Sequence, residues 1–268
     1  VIPIGDNQRS RTTPFVTWGI ILLNVAVFLY MLSLTNTLTG TRRQIISGFN
    51  DQTNGVCYGF ETDPTEANRF VCEWAFQPKE WFDSVSGDGE AQEGALRILV
   101  TIVTSMFLQG GWLHIGGNML FLWVFGDNVE DRLGHLKYLV FYLVTGIVAA
   151  LVQGFINPDS IVPVLGASGA VAGVLGAYIV YFPRATVRVI IPFFILIFIP
   201  IPLPAFIMIG LWFLQNLFAG YATIADAADP GGGVAWFAHI GGFILGMVVA
   251  FLYSGRRTRV RNAPRWDG

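Results

Sequence analysis

Long apolar runs separated by short polar stretches dominate the chain, at 14–34, 113–127, 136–155, 167–182, 203–222 and 234–253. A helix of about 18 to 22 residues, rising about 1.5 Å per residue, crosses a hydrocarbon core of about 30 Å. Four runs have that length. The run at 113–127 is expected to start earlier, within or after 97–109, and the run at 167–182 to begin below the outer face. The pattern predicts an all-α membrane protein, a six-transmembrane-helix bundle forming a single domain over 1–268, with a large polar loop at 35–96. The stretch 187–201 is apolar and β-branched, but Pro192 and Pro200 lie in it and Pro202 and Pro204 follow, so it reads as an interfacial excursion before the fifth span. Asp226, Asp229, Pro230 and three consecutive glycines make 223–233 a flexible loop leading into the sixth span.

Composition agrees with that setting. Apolar residues make up 53% of the chain and charged residues 13%, which excludes an ordinary soluble domain. Basic residues collect on one side of the predicted spans: Arg9 and Arg11, Arg132 and Lys137, Arg184 and Arg188, then Arg256, Arg257, Arg259, Arg261 and Arg265 in the tail at 254–268. By the positive-inside rule that side is cytoplasmic, so both termini are expected in the cytoplasm and the 35–96 loop outside. The loop is acid-rich, and the net charge of −2 averages the two faces, so no nucleic-acid partner is expected. Residues 1–13 are polar and the first apolar run has spanning length, so no cleavable signal peptide is expected. The only cysteines, Cys57 and Cys72, both lie in the outer loop. A disulfide there would stabilise the loop by about 3 kcal/mol in the chain-entropy model; the alternative is two unpaired thiols.

Candidate chemistry lies in polar residues placed inside apolar runs: His114 and Asn118 in the second, Ser168 at the head of the fourth and His239 in the sixth. Counted at about 1.5 Å per residue from the cytoplasmic ends, Ser168, His114 and His239 stand at roughly 22, 24 and 25 Å, one common layer below the outer surface. His135 lies between Arg132 and Lys137 and cannot reach that layer. Gly169 with Gly173, and Gly242 with Gly246, form small-xxx-small pairs that let the fourth and sixth spans approach closely. A serine hydroxyl needs an adjacent base to become nucleophilic, and a neutral imidazole serves. Singly, Ser168 reads as a helix N-cap and His114 and Asn118 as interhelical hydrogen-bonding groups; their shared depth favours a reactive site. No H-E-x-x-H sequence and no pair of carboxylates within the spans supports metal-dependent or aspartyl chemistry, so no metal or cofactor is expected.

Gly166-Ala-Ser168-Gly169, His114-x-x-x-Asn118 and Ala238-His239-x-Gly241-Gly242 together resemble the rhomboid family of intramembrane serine proteases, as do Glu130-x-Arg132-x-Gly134 and the large first outer loop. The resemblance implies Ser168 as nucleophile and His239 as its base, with His114, Asn118 and the Ser168 backbone N–H at the oxyanion. It also implies 223–233 as a lid, the fifth span as a lateral gate, and single-span membrane proteins as substrates. The protein is then expected to be a multi-pass protein of the cell or inner membrane, with its site opening outward. A catalytically inactive rhomboid-like protein that binds membrane clients is the alternative, and intact Ser168 and His239 argue against it. A transporter is disfavoured by the lack of an inverted repeat. Three positions depart from the family pattern. Ala172 stands where many members place an aromatic residue beside the base, Gln109 stands where many place a histidine, and the Trp-Arg pair of the outer loop has no clear match near Leu96-Arg97. With Ala172 in place, His239 needs another positioning partner.

Overall fold

The computed structural model describes residues 2–34, 49–53, 58–60, 66–86, 95–190, 200–225 and 234–257. Along the chain these form β1 (Ile2–Asp6), α1 (Phe15–Leu34), β2 (Phe49–Thr53), β3 (Tyr58–Phe60), α2 (Glu66–Trp74), α3 (Pro78–Ser86), α4 (Ala95–Thr104), α5 (Trp112–Leu133), α6 (His135–Ile156), α7 (Ser168–Tyr181), β4 (Thr186–Ile190), β5 (Ile201–Pro204), α8 (Ala205–Ala225) and α9 (Trp236–Arg257). Helices α1, α6, α8 and α9 are long and apolar enough to cross a bilayer; α4 and α5 together make a fifth such unit, bent by 87° at the break. Helix α7 is apolar but only 14 residues long.

The break places the start of the second span after 97–109, at Trp112. Ser105–Phe107 form a 3-10 turn after α4, the chain turns, and α5 begins afresh at Trp112. The span gains its length at the opposite end, continuing to Leu133. Polar residues there have partners from other elements. Glu130 is fully buried and accepts the Val16 and Thr17 amides at 3.0 and 2.8 Å and the Thr17 hydroxyl at 2.7 Å. The first amides of α1 lack intrahelical acceptors, so Glu130 serves as their cap from a different helix. Gly134 has φ 82° and joins α5 to α6, its amide bonding the Glu130 carbonyl at 2.7 Å. Nothing crowds it; the left-handed backbone alone requires glycine.

At the same end of the bundle lies a sheet of order β1-β4-β5, antiparallel throughout. The fold is therefore mostly helical and not all-α. Val187 and Val189 are fully buried while Arg188 between them is exposed, the period-two alternation of a half-buried strand. Pro202 and Pro204, taken in the sequence as breakers, sit on edge strand β5, where a missing amide donor is tolerated. The sheet is tied to the helices through Asp6, whose Oδ2 accepts the Tyr178 hydroxyl and the Asn128 amide.

Helix α7 is buried along nearly its whole length, from Gly169 to Tyr178, as expected for a helix apolar on every face. Helix α9 packs against it glycine to glycine. A Cβ on Gly242 would overlap the Gly169 carbonyl, and one on Gly246 the Gly173 carbonyl, so the close approach read from the two small-residue pairs is present. On its other side, Gly169 and Gly173 abut Ala149 and Thr145 of α6.

The polar loop contains α2 and α3, and it braces the segment leading to α7. Phe76 bridges to Val164, Gln77 Nε2 donates to the Ile161 carbonyl at 2.8 Å, and the Lys79 amide donates to the Ser160 carbonyl at 3.0 Å. Cys57, and with it the expected Cys57–Cys72 pairing, lies outside the described residues, as do residues 226–233 of the expected lid and 258–268 of the tail.

Candidate active site

Ser168 opens α7 as its first helical residue, and the N-cap position belongs to Ala167. Gly166, with φ 118°, makes the preceding turn, and its amide donates to the Ser105 carbonyl at 2.9 Å. The same glycine admits His114: a Cβ at 166 would stand 2.6 Å from His114 Cε1 and 2.8 Å from Nε2. His114 is thus seated against the turn that presents Ser168.

Ser168, His114, Asn118 and His239 all line one cavity of about 440 Å³. The neighbours of the two proposed reacting residues also touch, since a Cβ on Gly169 would lie 3.7 Å from the Ala238 carbonyl oxygen. Among the described residues, no hydrogen bond joins the Ser168 hydroxyl to the His239 ring. Such bonds are often long before substrate binds.

Hydrogen-bond partners assign the ring nitrogens. His114 Nδ1 accepts the Gly110 amide at 3.1 Å, so in the neutral ring the proton is on Nε2, the nitrogen beside Gly166. His239 Nδ1 lies 2.6 Å from Asn216 Oδ1. Asn216 Nδ2 donates to the Trp212 carbonyl at 2.7 Å, which leaves Oδ1 as the acceptor and places the His239 proton on Nδ1. Nε2 of His239 then carries the free lone pair that a general base needs. Trp212 and Trp236 flank this ring at centroid distances of 5.9 and 6.1 Å. They stand in for the aromatic neighbour that Ala172 does not provide.

Asn118 has its own support. Its Nδ2 donates to Gln109 Oε1 at 2.9 Å, and Gln109 Nε2 donates to Asn24 Oδ1 at 2.7 Å. Asn24 Nδ2 ends the relay on the Ile20 carbonyl at 2.9 Å. Gln109 and Asn24 are fully buried. One Asn118 amide hydrogen is used by this relay and the second remains for an oxygen in the cavity. Gln153, also lining the cavity, accepts the Phe237 and Ala238 amides at 3.1 and 3.3 Å. It caps the helix that carries His239.

The sequence reading did not include Asn216, Gln153 or Asn24. Each is an amide inside a long apolar run, and that alone was the available signal, since polar groups in lipid are costly unless paired. Among the described residues no carboxylate lines the cavity and no cluster of potential metal ligands occurs.

The sequence matches the family described as the Rhomboid domain over residues 97–256. It is 30% identical over 176 residues to Rhomboid protein 1, mitochondrial, of Saccharomyces cerevisiae, covering 62% of this chain and 47% of the yeast protein. It is 31% identical over 163 residues to Rhomboid protease AarA of Providencia stuartii, covering 56% of this chain and 54% of that protein. With Rhomboid protease GluP of Bacillus subtilis it shares 37% identity over 76 residues, 28% of this chain and 14% of the relative. The matched stretches span about half, or less, of these relatives' own lengths.

Proposed function

We propose a function from one premise: the chain belongs to the rhomboid family, whose domain it matches from residue 97 to residue 256, and it is an integral, multi-pass membrane protein. Its function in this reading is that of an intramembrane serine endopeptidase that cuts single-span proteins in or near their transmembrane helix. The Providencia relative is named a protease. The observation that carries the reading is the contact of His239 Nδ1 with Asn216 Oδ1, which leaves Nε2 to serve as the base, together with Ser168 lining the same cavity.

The chemistry runs in two halves. His239 Nε2 takes the Ser168 proton as Oγ attacks the scissile carbonyl carbon. The resulting oxyanion accepts hydrogen bonds from the Ser168 amide, His114 Nε2–H and Asn118 Nδ2–H, fixed donors in a site of low dielectric. Collapse breaks the C–N bond, the amine leaves with the proton held by His239, and an acyl-enzyme remains on Ser168. Water, deprotonated by His239, then attacks the ester carbonyl and frees Ser168 and the carboxylate product. Asn157 and Ser160 line the same cavity and add polar groups to it.

The same reading carries a six-span topology in the cell or inner membrane, with both termini cytoplasmic, the site opening outward, 223–233 as lid and α8 as lateral gate. The orientation is supported by the segregation of arginines and lysines in the sequence. Cleavage of a panel of tagged single-span substrates in liposomes, with product masses, tests the function. Wild type is expected to cut near the outer end of the substrate span, and Ser168→Ala and His239→Ala to give no product. Cleavage retained in Ser168→Ala would overturn the reading.

A further inference from the structure

We infer that Asn216 is a positioning residue for hydrolysis: from helix α8 it sets the tautomer and orientation of His239 on α9. The inference rests on the Ser168–His239 reading above and extends it from two residues to three.

Asn216 is 3% exposed, within a helix otherwise rich in leucine, isoleucine and phenylalanine. A buried amide in such a place costs stability unless its polar atoms are paired. Both are. The Trp212 carbonyl can only accept, so it takes the Asn216 amide hydrogen at 2.7 Å, and Oδ1 is turned to His239 Nδ1 at 2.6 Å. The opposite His239 tautomer would set two lone pairs against each other at that distance. The Nδ1–H tautomer is therefore selected before substrate arrives. The bond also persists through the reaction, because Nδ1 keeps its proton when Nε2 gains and loses one.

The groups around the His239 ring are Trp212 and Asn216 of α8, Trp236 of its own helix, and His114 and Ser168 across the cavity. A carboxylate in the orienting position would need to be desolvated with its charge intact, which is expensive at membrane depth. A neutral amide accepts the same hydrogen bond without that cost. Because the two partners sit on different helices, this hydrogen bond forms only while α8 is packed on α9, a contact made also by the stacked rings of Phe213 and Phe243, 4.3 Å apart.

The test uses the full chain in liposomes. Asn216→Leu preserves side-chain shape and removes the acceptor; kcat is expected to fall about 10- to 100-fold with KM within about twofold of wild type. Asn216→Gln keeps a neutral amide with both an acceptor oxygen and a donor nitrogen, and is expected to retain more activity than Asn216→Leu. Nitrogen-15 spectra of histidine-labelled wild type are expected to show the His239 proton on Nδ1, and this needs no variant to fold. A resting proton on Nε2, or a folded Asn216→Leu protein with wild-type kcat, would overturn the inference. If Ser168→Ala still cleaves, the dyad reading itself fails; if Ser168→Ala is dead while Asn216→Leu is fully active, only the role of Asn216 fails.

Discussion

Gly246 of α9 lies directly on the Gly173 carbonyl of α7, with no room for a β-carbon between them. The obstacle is backbone, which cannot swing aside as a side-chain tip does. Gly246→Ala is expected to force the two helices apart, lowering stability by about 1–3 kcal/mol and moving His239 away from Ser168. Thermal unfolding in detergent and the cleavage rate should both fall. Gly210 of α8 meets nothing within 4 Å, so Gly210→Ala is the matched control and should not lower stability, since alanine in a helix interior is favoured over glycine by up to about 1 kcal/mol.

Gln109 gives a second prediction, because it stands between Asn118 and Asn24 with one hydrogen bond to each. Gln109→Leu would leave two buried amides each short of a partner, at a cost of about 1–3 kcal/mol for each. The freed Asn118 side chain would also lose its aim at the oxyanion. A fall in cleavage rate of about 100-fold is expected for Asn118→Ala, which deletes the donor outright, and a smaller fall for Gln109→Leu. Equal and unchanged rates in both variants would remove Asn118 from the site.

The end of the bundle far from the cavity is held by Glu130, which collects the first amides of α1 together with the Thr17 hydroxyl and a His135 ring nitrogen at 2.6 Å. Glu130→Ala strands the Thr17 amide and hydroxyl in a buried place and is expected to cost about 3 kcal/mol. Thr17→Val removes one hydroxyl and should cost about 1 kcal/mol. Equilibrium unfolding in mild detergent measures both.

Legibility from the sequence varied by kind of feature. The two histidines stood out because lipid makes ionisable groups costly in a span, Ser168 through its shared depth with them, and the paired glycines through the small-xxx-small spacing that lets helices approach closely. The strands did not stand out: Val187 and Val189 alternate with Arg188 in a stretch too short, and too close to prolines, to read as other than an apolar excursion. The inner turns of α5 were also hidden, because Asn128 and Glu130 look like the end of a span until Asp6 and Thr17 are known to meet them. Asn216 was invisible for a similar reason. Its role depends on a histidine 23 residues further along, on another helix.

Asp6 predicts a pH effect. Burial raises its carboxyl above the ordinary value of 3.8, against the opposing pull of Tyr178, the Gln8 amide and Arg188. The folded protein therefore holds this proton more tightly than the unfolded chain does. That contribution to stability is present in full below about 3.8 and is lost as pH rises through the higher folded value. The stability of wild type relative to Asp6→Asn should thus decline as pH is raised from about 4 to neutrality. A constant offset between the two proteins across that range would contradict the assignment.

The most direct measurement is the reaction of the liposome-embedded protein with a fluorophosphonate, followed by intact mass and peptide mapping. A single phosphonyl adduct on Ser168 is expected in wild type, and none in Ser168→Ala or His239→Ala. An adduct on another residue, or labelling of Ser168→Ala as fast as wild type, would contradict it.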